Sequence, residues 1–253
     1  MGPKVLPSVF SLPGQPTARR HSPIVSGEGE RGYEVFRSCL RWEFGFVCAF
    51  CLLHEAQLSP LGAKGSGVFW IEHIELRSAR PDLINSYANV VYTCKLCNLA
   101  RGRKPKVTNT GVALLDPTTD AWSQHFEWRD DNLSSLSDRG AATLRAYDLN
   151  SPQKVRLRKE TRDALLEAVE VLSYGPTMLA ELLADIDALP TARRPVRLRT
   201  AALLHSTLAR ARRTLALLAP VPLDADPSCH CKNSQHCTLP AWLAVQLIEI
   251  AAM

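Results

Sequence analysis

Apolar residues recur at helical spacing over residues 33–42 (YEVFRSCLRW) and predict a short helix there. Residues 68–71 (VFWI) are β-branched or aromatic and read as a strand, and residues 90–93 (VVYT) read as a second one. A polar loop containing Pro81 and Asn85 separates them. The second strand runs into CKLC at 94–97, and residues 98–101 predict a short helix that Gly102 and Pro105 stop. Residues 114–130 read as a turn and a strand, and 138–150 as a helix ending before Ser151-Pro152. From Ser151 onward the pattern is Leu/Ala-rich and helical over 152–172, 176–189, 196–218 and 239–252, with Pro176, Pro190, Pro220 and Pro240 at the boundaries. Residues 1–30 are rich in Pro, Gly and Ser and read as a flexible arm. The expected organisation is an arm (1–30), a small α+β module (31–150) and a mainly α-helical region (151–253).

Composition narrows the class without deciding it. Of 253 residues, 46% are apolar and 22% charged, which is enough apolar material for a packed core. No run approaches the roughly 18 consecutive apolar residues of a membrane span, and prolines interrupt any secretory apolar region at the N-terminus. The expected compartment is cytoplasmic, with no membrane partner. A net charge of +5 favours an anionic partner only weakly. The distribution says more. Glu160, Asp163, Glu167, Glu170, Glu181, Asp185 and Asp187 dominate one helical stretch, and Arg193, Arg194, Arg197, Arg199, Arg210, Arg212 and Arg213 dominate the next. The plainer reading is a pair of antiparallel helices whose opposite charges attract; the other is a basic face for nucleic acid.

Eight cysteines change the picture further, because paired cysteines in a reducing compartment point to metal rather than to disulfides. Two CxxC pairs, Cys48/Cys51 and Cys94/Cys97, supply four thiolates, which matches a closed, tetrahedral, structural zinc site. A second candidate metal set lies near the end of the chain: Cys229, His230, Cys231, His236 and Cys237. Its alternative is a cysteine-bearing surface loop between Pro227 and Pro240. Cys39 stands alone and is expected to be buried.

Beside the knuckles lie Glu72-His73, Asn89 and Asn98, followed by Arg101, Arg103, Lys104 and Lys106. IEHIELRS and then SYANVVYTCKLCNLARGRK resemble the HNH endonuclease motif in its zinc-knuckle form, over residues 48–104. The later LLDPTTDAWSQHFEW and Tyr147-Asp148-Leu149-Asn150 resemble what trails that motif in many bacterial HNH proteins. The resemblance implies a ββα-metal module that hydrolyses phosphodiester bonds in DNA, RNA remaining an alternative, in bacterial restriction or phage defence. It implies His73 as general base, Glu72 and Asn98 as ligands of a catalytic Mg2+ or Mn2+, and Asn89 as the residue that orients loop and imidazole. These roles suit the chemistry, which needs a base near neutral pH and hard oxygen ligands. The acid is Glu where the family more often has Asp. Beside that centre, Arg101, Arg103, Lys104 and Lys106 are expected to hold phosphates, or else to be a solvated run. His54 and His125 fall outside the motif. The helical region is expected to grip DNA, form a homo-oligomer or contact a regulatory protein. Two other readings stand beside the enzyme. One is a non-catalytic zinc module that binds nucleic acid, with no need for Glu72, His73 and Asn98 together. The other is a protein-interaction subunit.

Overall fold

A computed structural model describes residues 12–19, 21, 32–58, 65, 67–184 and 186–218. The chain is a mixture of helices and two small antiparallel hairpins, with a cysteine cluster at its centre. The candidate helix 239–252 and the Cys229–Cys237 set lie outside the described residues.

The first segment is a 3-10 turn, Gly32–Phe36, that passes directly into α1 (Arg37–Glu43). Phe36, Leu40 and Phe44 recur every four residues and are all buried, so one stripe of α1 faces the core. Gly45 and Phe46 then take positive φ, with the Phe46 amide donating to the Arg41 carbonyl. This reversal sends the chain into the first cysteine knuckle. A one-turn helix, α2 (Glu55–Leu58), follows.

Strands β1 (Phe69–His73) and β2 (Val90–Cys94) pair antiparallel in the register Phe69↔Cys94 through His73↔Val90. All five β2 residues are buried, so β2 is the interior strand of the hairpin. Helix α3 (Lys95–Arg101) starts on the residue after β2. It stops at Gly102, whose φ of 52° with ψ of −123° is open to glycine alone, and whose amide donates to the Asn98 carbonyl.

The second hairpin joins β3 (Phe126–Arg129) to β4 (Asn132–Ser135) through the two-residue turn Asp130-Asp131. Strand β4 is not predicted by the sequence pattern, because NLSS is short and polar. Its anchor is Asn150: the side-chain amide accepts from the Leu133 amide at 2.9 Å and donates to the Leu133 carbonyl at 2.8 Å. Helix α4 (Asp138–Ala146) begins at a Ser137 cap that accepts the Gly140 amide. These elements share one core, in which Phe50 stacks on Tyr147 with ring centroids 3.7 Å apart.

Helices α5 (Pro152–Leu183) and α6 (Arg194–Leu218) form a long antiparallel hairpin with a separate small core of Leu165, Ala168, Leu172, Leu208, Ala211 and Leu215. Two expectations need correction. Pro176 is not a boundary: α5 runs through it, and the segment 176–189 is the tail of α5 plus a 3-10 turn, Ile186–Ala188. An interior proline costs about 3 kcal/mol, and the packing of Leu165, Ala168 and Leu172 of α5 against Leu208, Ala211 and Leu215 of α6 offsets it. Gly175 sits so close to α6 that a Cβ there would come within 2.5 Å of a Leu208 methyl. Nor is an ion pair seen between the two helices among the described residues; Arg197 instead donates to the Leu182 and Glu181 carbonyls at the end of α5.

Candidate active site and metal centre

The four knuckle cysteines arrive from three elements. Cys48 and Cys51 flank a turn in which the Leu52 amide donates to the Cys48 carbonyl, and the Ala49 amide docks that turn on the Tyr92 carbonyl of β2. Cys94 ends β2, and Cys97 lies in the first turn of α3. All four are fully buried, and their sulfurs lie within 4.8 Å of one another. The Cys51–Cys94 separation is 3.6 Å. A tetrahedral zinc with bonds near 2.3 Å spaces its sulfurs about 3.8 Å apart. The donor set and its spacing therefore fit a structural metal such as zinc. Burial opposes ionisation of Cys48, but hydrogen bonds from Cys51, Cys94, Cys97 and Thr93 outweigh it and hold that thiol well below its usual range.

The same hairpin brings a second pair of side chains together. Glu72 is the fourth residue of β1, and Asn98 the fourth of α3. The Asn98 side-chain nitrogen donates to the Glu72 carboxylate at 2.6 Å, which leaves the Asn98 amide oxygen for another partner. Glu72 is 7% exposed. Burial pushes its carboxyl up to about 7, against the opposing pull of Arg101, Arg77 and Asn98. The sign of the stability effect follows. A folded-state value of about 7 against an ordinary 4.5 means that the fold retains a proton the unfolded chain has lost. Without added magnesium, stability should therefore fall as pH rises through that window, by roughly 3 kcal/mol in all. Glu72→Gln should lack this slope, so its urea midpoint should gain on wild type across the window. A difference independent of pH would contradict the assignment.

His73 is the last residue of β1, directly after Glu72, and the two share no hydrogen bond. Its Nε2 lies 2.9 Å from the Ile84 carbonyl, and its ring meets Tyr33 edge-on at 4.7 Å. Because Ile84 offers only an acceptor, Nε2 carries the proton and Nδ1 keeps its lone pair. Burial lowers the affinity of the ring for a second proton; the Ile84 bond works against this and the charge of Arg77 adds to it. Asn89 closes the loop between the strands. Its side chain accepts from the Glu75 amide at 2.8 Å and donates to the Glu75 and Leu83 carbonyls. Thus Asn89 and His73 both pin the 74–89 loop.

The basic run does not form one exposed surface. Arg101 is 1% exposed: its guanidinium donates to the Ile74 and Pro105 carbonyls and stacks over Tyr147, so it is not available to a phosphate in this arrangement. The reason is helical spacing, since Arg101 follows Cys97 by four residues and shares its inward face. Lys104 donates to the Ala100 and Ala146 carbonyls, and Lys106 pairs with Glu75 at 3.2 Å. Arg103 is exposed and makes no ion pair among the described residues. Sequence reasoning passed over Arg77, an exposed arginine of the same loop whose charge acts on both Glu72 and His73. Its position five residues after Glu72 was the available signal. His54 is buried and its Nδ1 accepts the Ala56 amide, and His125 bonds to the Ser137 hydroxyl that caps α4. Cys39 is buried. A cavity of about 180 Å3 lies between Leu53, Trp128 and Arg158 and contains none of the candidate catalytic residues.

No family model matches the chain, and no curated protein and no solved structure matches it. No helix among the described residues is long and apolar enough to cross a membrane.

Proposed function

We propose that this protein is a divalent-metal-dependent DNA endonuclease of the HNH kind, with a ββα-metal module formed by β1, β2 and α3. The observation that carries the reading is the convergence of Glu72 and Asn98, 2.6 Å apart, from strand and helix of a hairpin clamped by four cysteines. A non-catalytic zinc module needs no such pair.

The residues present fit a hard cation. A buried carboxylate and an amide oxygen are the ligands magnesium or manganese prefers, and the carboxyl is raised to about 7, which an adjacent cation would reverse. When bound, the ion supplies positive charge for the scissile phosphate and for the departing 3′ oxygen. His73 takes the proton of the attacking water on Nδ1, the nitrogen left free by the Ile84 bond. Its lowered proton affinity keeps the ring neutral, and so able to act, at neutral pH. Asn89 holds the loop that carries the Ile84 carbonyl and so fixes the orientation of the imidazole. Arg77 is an exposed cation whose charge acts on both groups, and it is the residue assigned to the phosphate. The cysteine cluster sets the geometry and takes no part in the chemistry. Bacterial restriction or phage defence is the setting that belongs to this reading.

The test is conversion of supercoiled plasmid by the purified full chain. Nicked and linear products should appear with magnesium or manganese and vanish with excess chelator added only for the assay. No cleavage of duplex DNA, single-stranded DNA or RNA under any divalent ion would remove the enzymatic reading and leave the zinc module.

A further inference from the structure

The α5–α6 hairpin has two sides, and among the described residues only the side between the helices is filled. Tyr174 and Met178 on α5 are 59% and 52% exposed, and Val196 and Leu203 on α6 are 65% and 71% exposed. Such side chains normally mark a surface that meets another protein when they are contiguous. Spacing places them on one face. The buried stripe of α5 runs through Leu165, Ala168 and Leu172, and that of α6 through Leu208, Ala211 and Leu215. Projecting both helices at 3.6 residues per turn, with these stripes turned towards each other, puts Tyr174, Met178, Val196 and Leu203 on one and the same face of the hairpin.

The charges that the hairpin leaves unpaired identify what covers that face. Glu170 and Glu181 lie along the outer edge of α5, and Arg199, Arg210 and Arg213 along the outer edge of α6. All five are exposed, and none makes an ion pair among the described residues. The two edges are on opposite sides of the hairpin and cannot meet within one chain. The level of each residue is fixed by the approach of Gly175 to Leu208 and by the Arg197 bond to Leu182. At those levels Glu170 stands beside Arg210 and Arg213, and Glu181 beside Arg199. A two-fold axis parallel to the helices carries the basic edge of one copy onto the acidic edge of another without changing level.

We infer that this face is an isologous dimer interface, covered by a second copy of the chain to give a four-helix bundle. Tyr174, Met178, Val196 and Leu203 form its apolar centre. Glu170 meets Arg210 and Arg213 of the other copy, and Glu181 meets Arg199, on both sides of the axis. An apolar centre with a charged rim is the usual anatomy of such an interface. The inference is independent of the nuclease reading.

The test is sedimentation of the full chain over a dilution series. Wild type should sediment at twice the 28.0 kDa of one chain, and salt should weaken the association. Two charge variants at exposed positions keep the fold: Arg199→Glu/Arg210→Glu/Arg213→Glu, whose two edges are acidic, and Glu170→Arg/Glu181→Arg, whose two edges are basic. Each alone should dimerise at least about tenfold more weakly than wild type. Mixed, they should form a one-to-one heterodimer. Leu203→Glu should give a folded monomer. Three results would overturn the inference. The first is a monomeric wild type, including one that dimerises only when residues 239–253 are deleted. The second is variants that self-associate as tightly as wild type. The third is an acidic variant that remains dimeric and loses only its retention on DNA, which would assign the α6 edge to nucleic acid.

Discussion

Cys94→Ser is expected to release the metal and unfold the unit built around the first core. Cys94 ends β2, precedes α3 and is fully buried, so its sulfur ties both elements to the 48–51 turn. Structural zinc in cysteine sites contributes about 10–16 kcal/mol, whereas a whole domain is stable by about 5–15 kcal/mol. Losing most of the first term leaves nothing of the second. Cys39→Ser is the matched control: that residue is equally buried and lies outside the cluster, and it should keep its zinc and lose far less. Metal analysis together with thermal unfolding separates the two. A Cys94→Ser protein that holds one zinc per chain and melts where wild type does would show that the four sulfurs are not a metal site.

On the proposed assignment, Glu72, Asn98 and His73 should fail in two distinguishable ways. Glu72→Ala and Asn98→Ala remove oxygen ligands from one ion, so the concentration of magnesium or manganese needed for half-maximal cleavage should rise steeply, and excess metal should recover part of the rate. His73→Ala removes the proton acceptor. A positioned base contributes about 100-fold to 10,000-fold, and no concentration of metal replaces it. Zinc content should be unchanged in all three, because none of these side chains reaches the sulfurs. Wild-type cleavage should also fall as pH drops through the lowered titration of His73, since the doubly protonated ring has no lone pair to offer.

Local spacing made some of this legible and hid the rest. The CxxC pairs announced a metal site because two thiolates on one tight turn need no tertiary information. The two strands of the first hairpin were visible in VFWI and VVYT, and the gathering of four sulfurs follows once β2 runs into α3. The pairing of Glu72 with Asn98 depends on strand register and on where α3 starts, which only the resemblance supplied. Arg101 was expected to hold phosphate with the rest of the basic run, but it is buried. Its four-residue spacing from Cys97 was the better guide, since it places the guanidinium among buried carbonyls. Pro176 misled for the opposite reason: a helix boundary is a local inference, and here the contact of Gly175 with Leu208 carries the helix onward. The charge segregation of α5 and α6 was legible as a pattern but not as a partner choice. The outward edges that hold it are set by which stripe of each helix is buried.

The rate of plasmid cleavage by His73→Ala, measured beside wild type at saturating manganese and at matched zinc content, bears most directly on the proposed chemistry. Cleavage should be lower by at least about 100-fold, with the fold and the metal content of the variant intact. A His73→Ala protein that cuts at the wild-type rate, in a preparation free of other nucleases, would show that His73 is not the base.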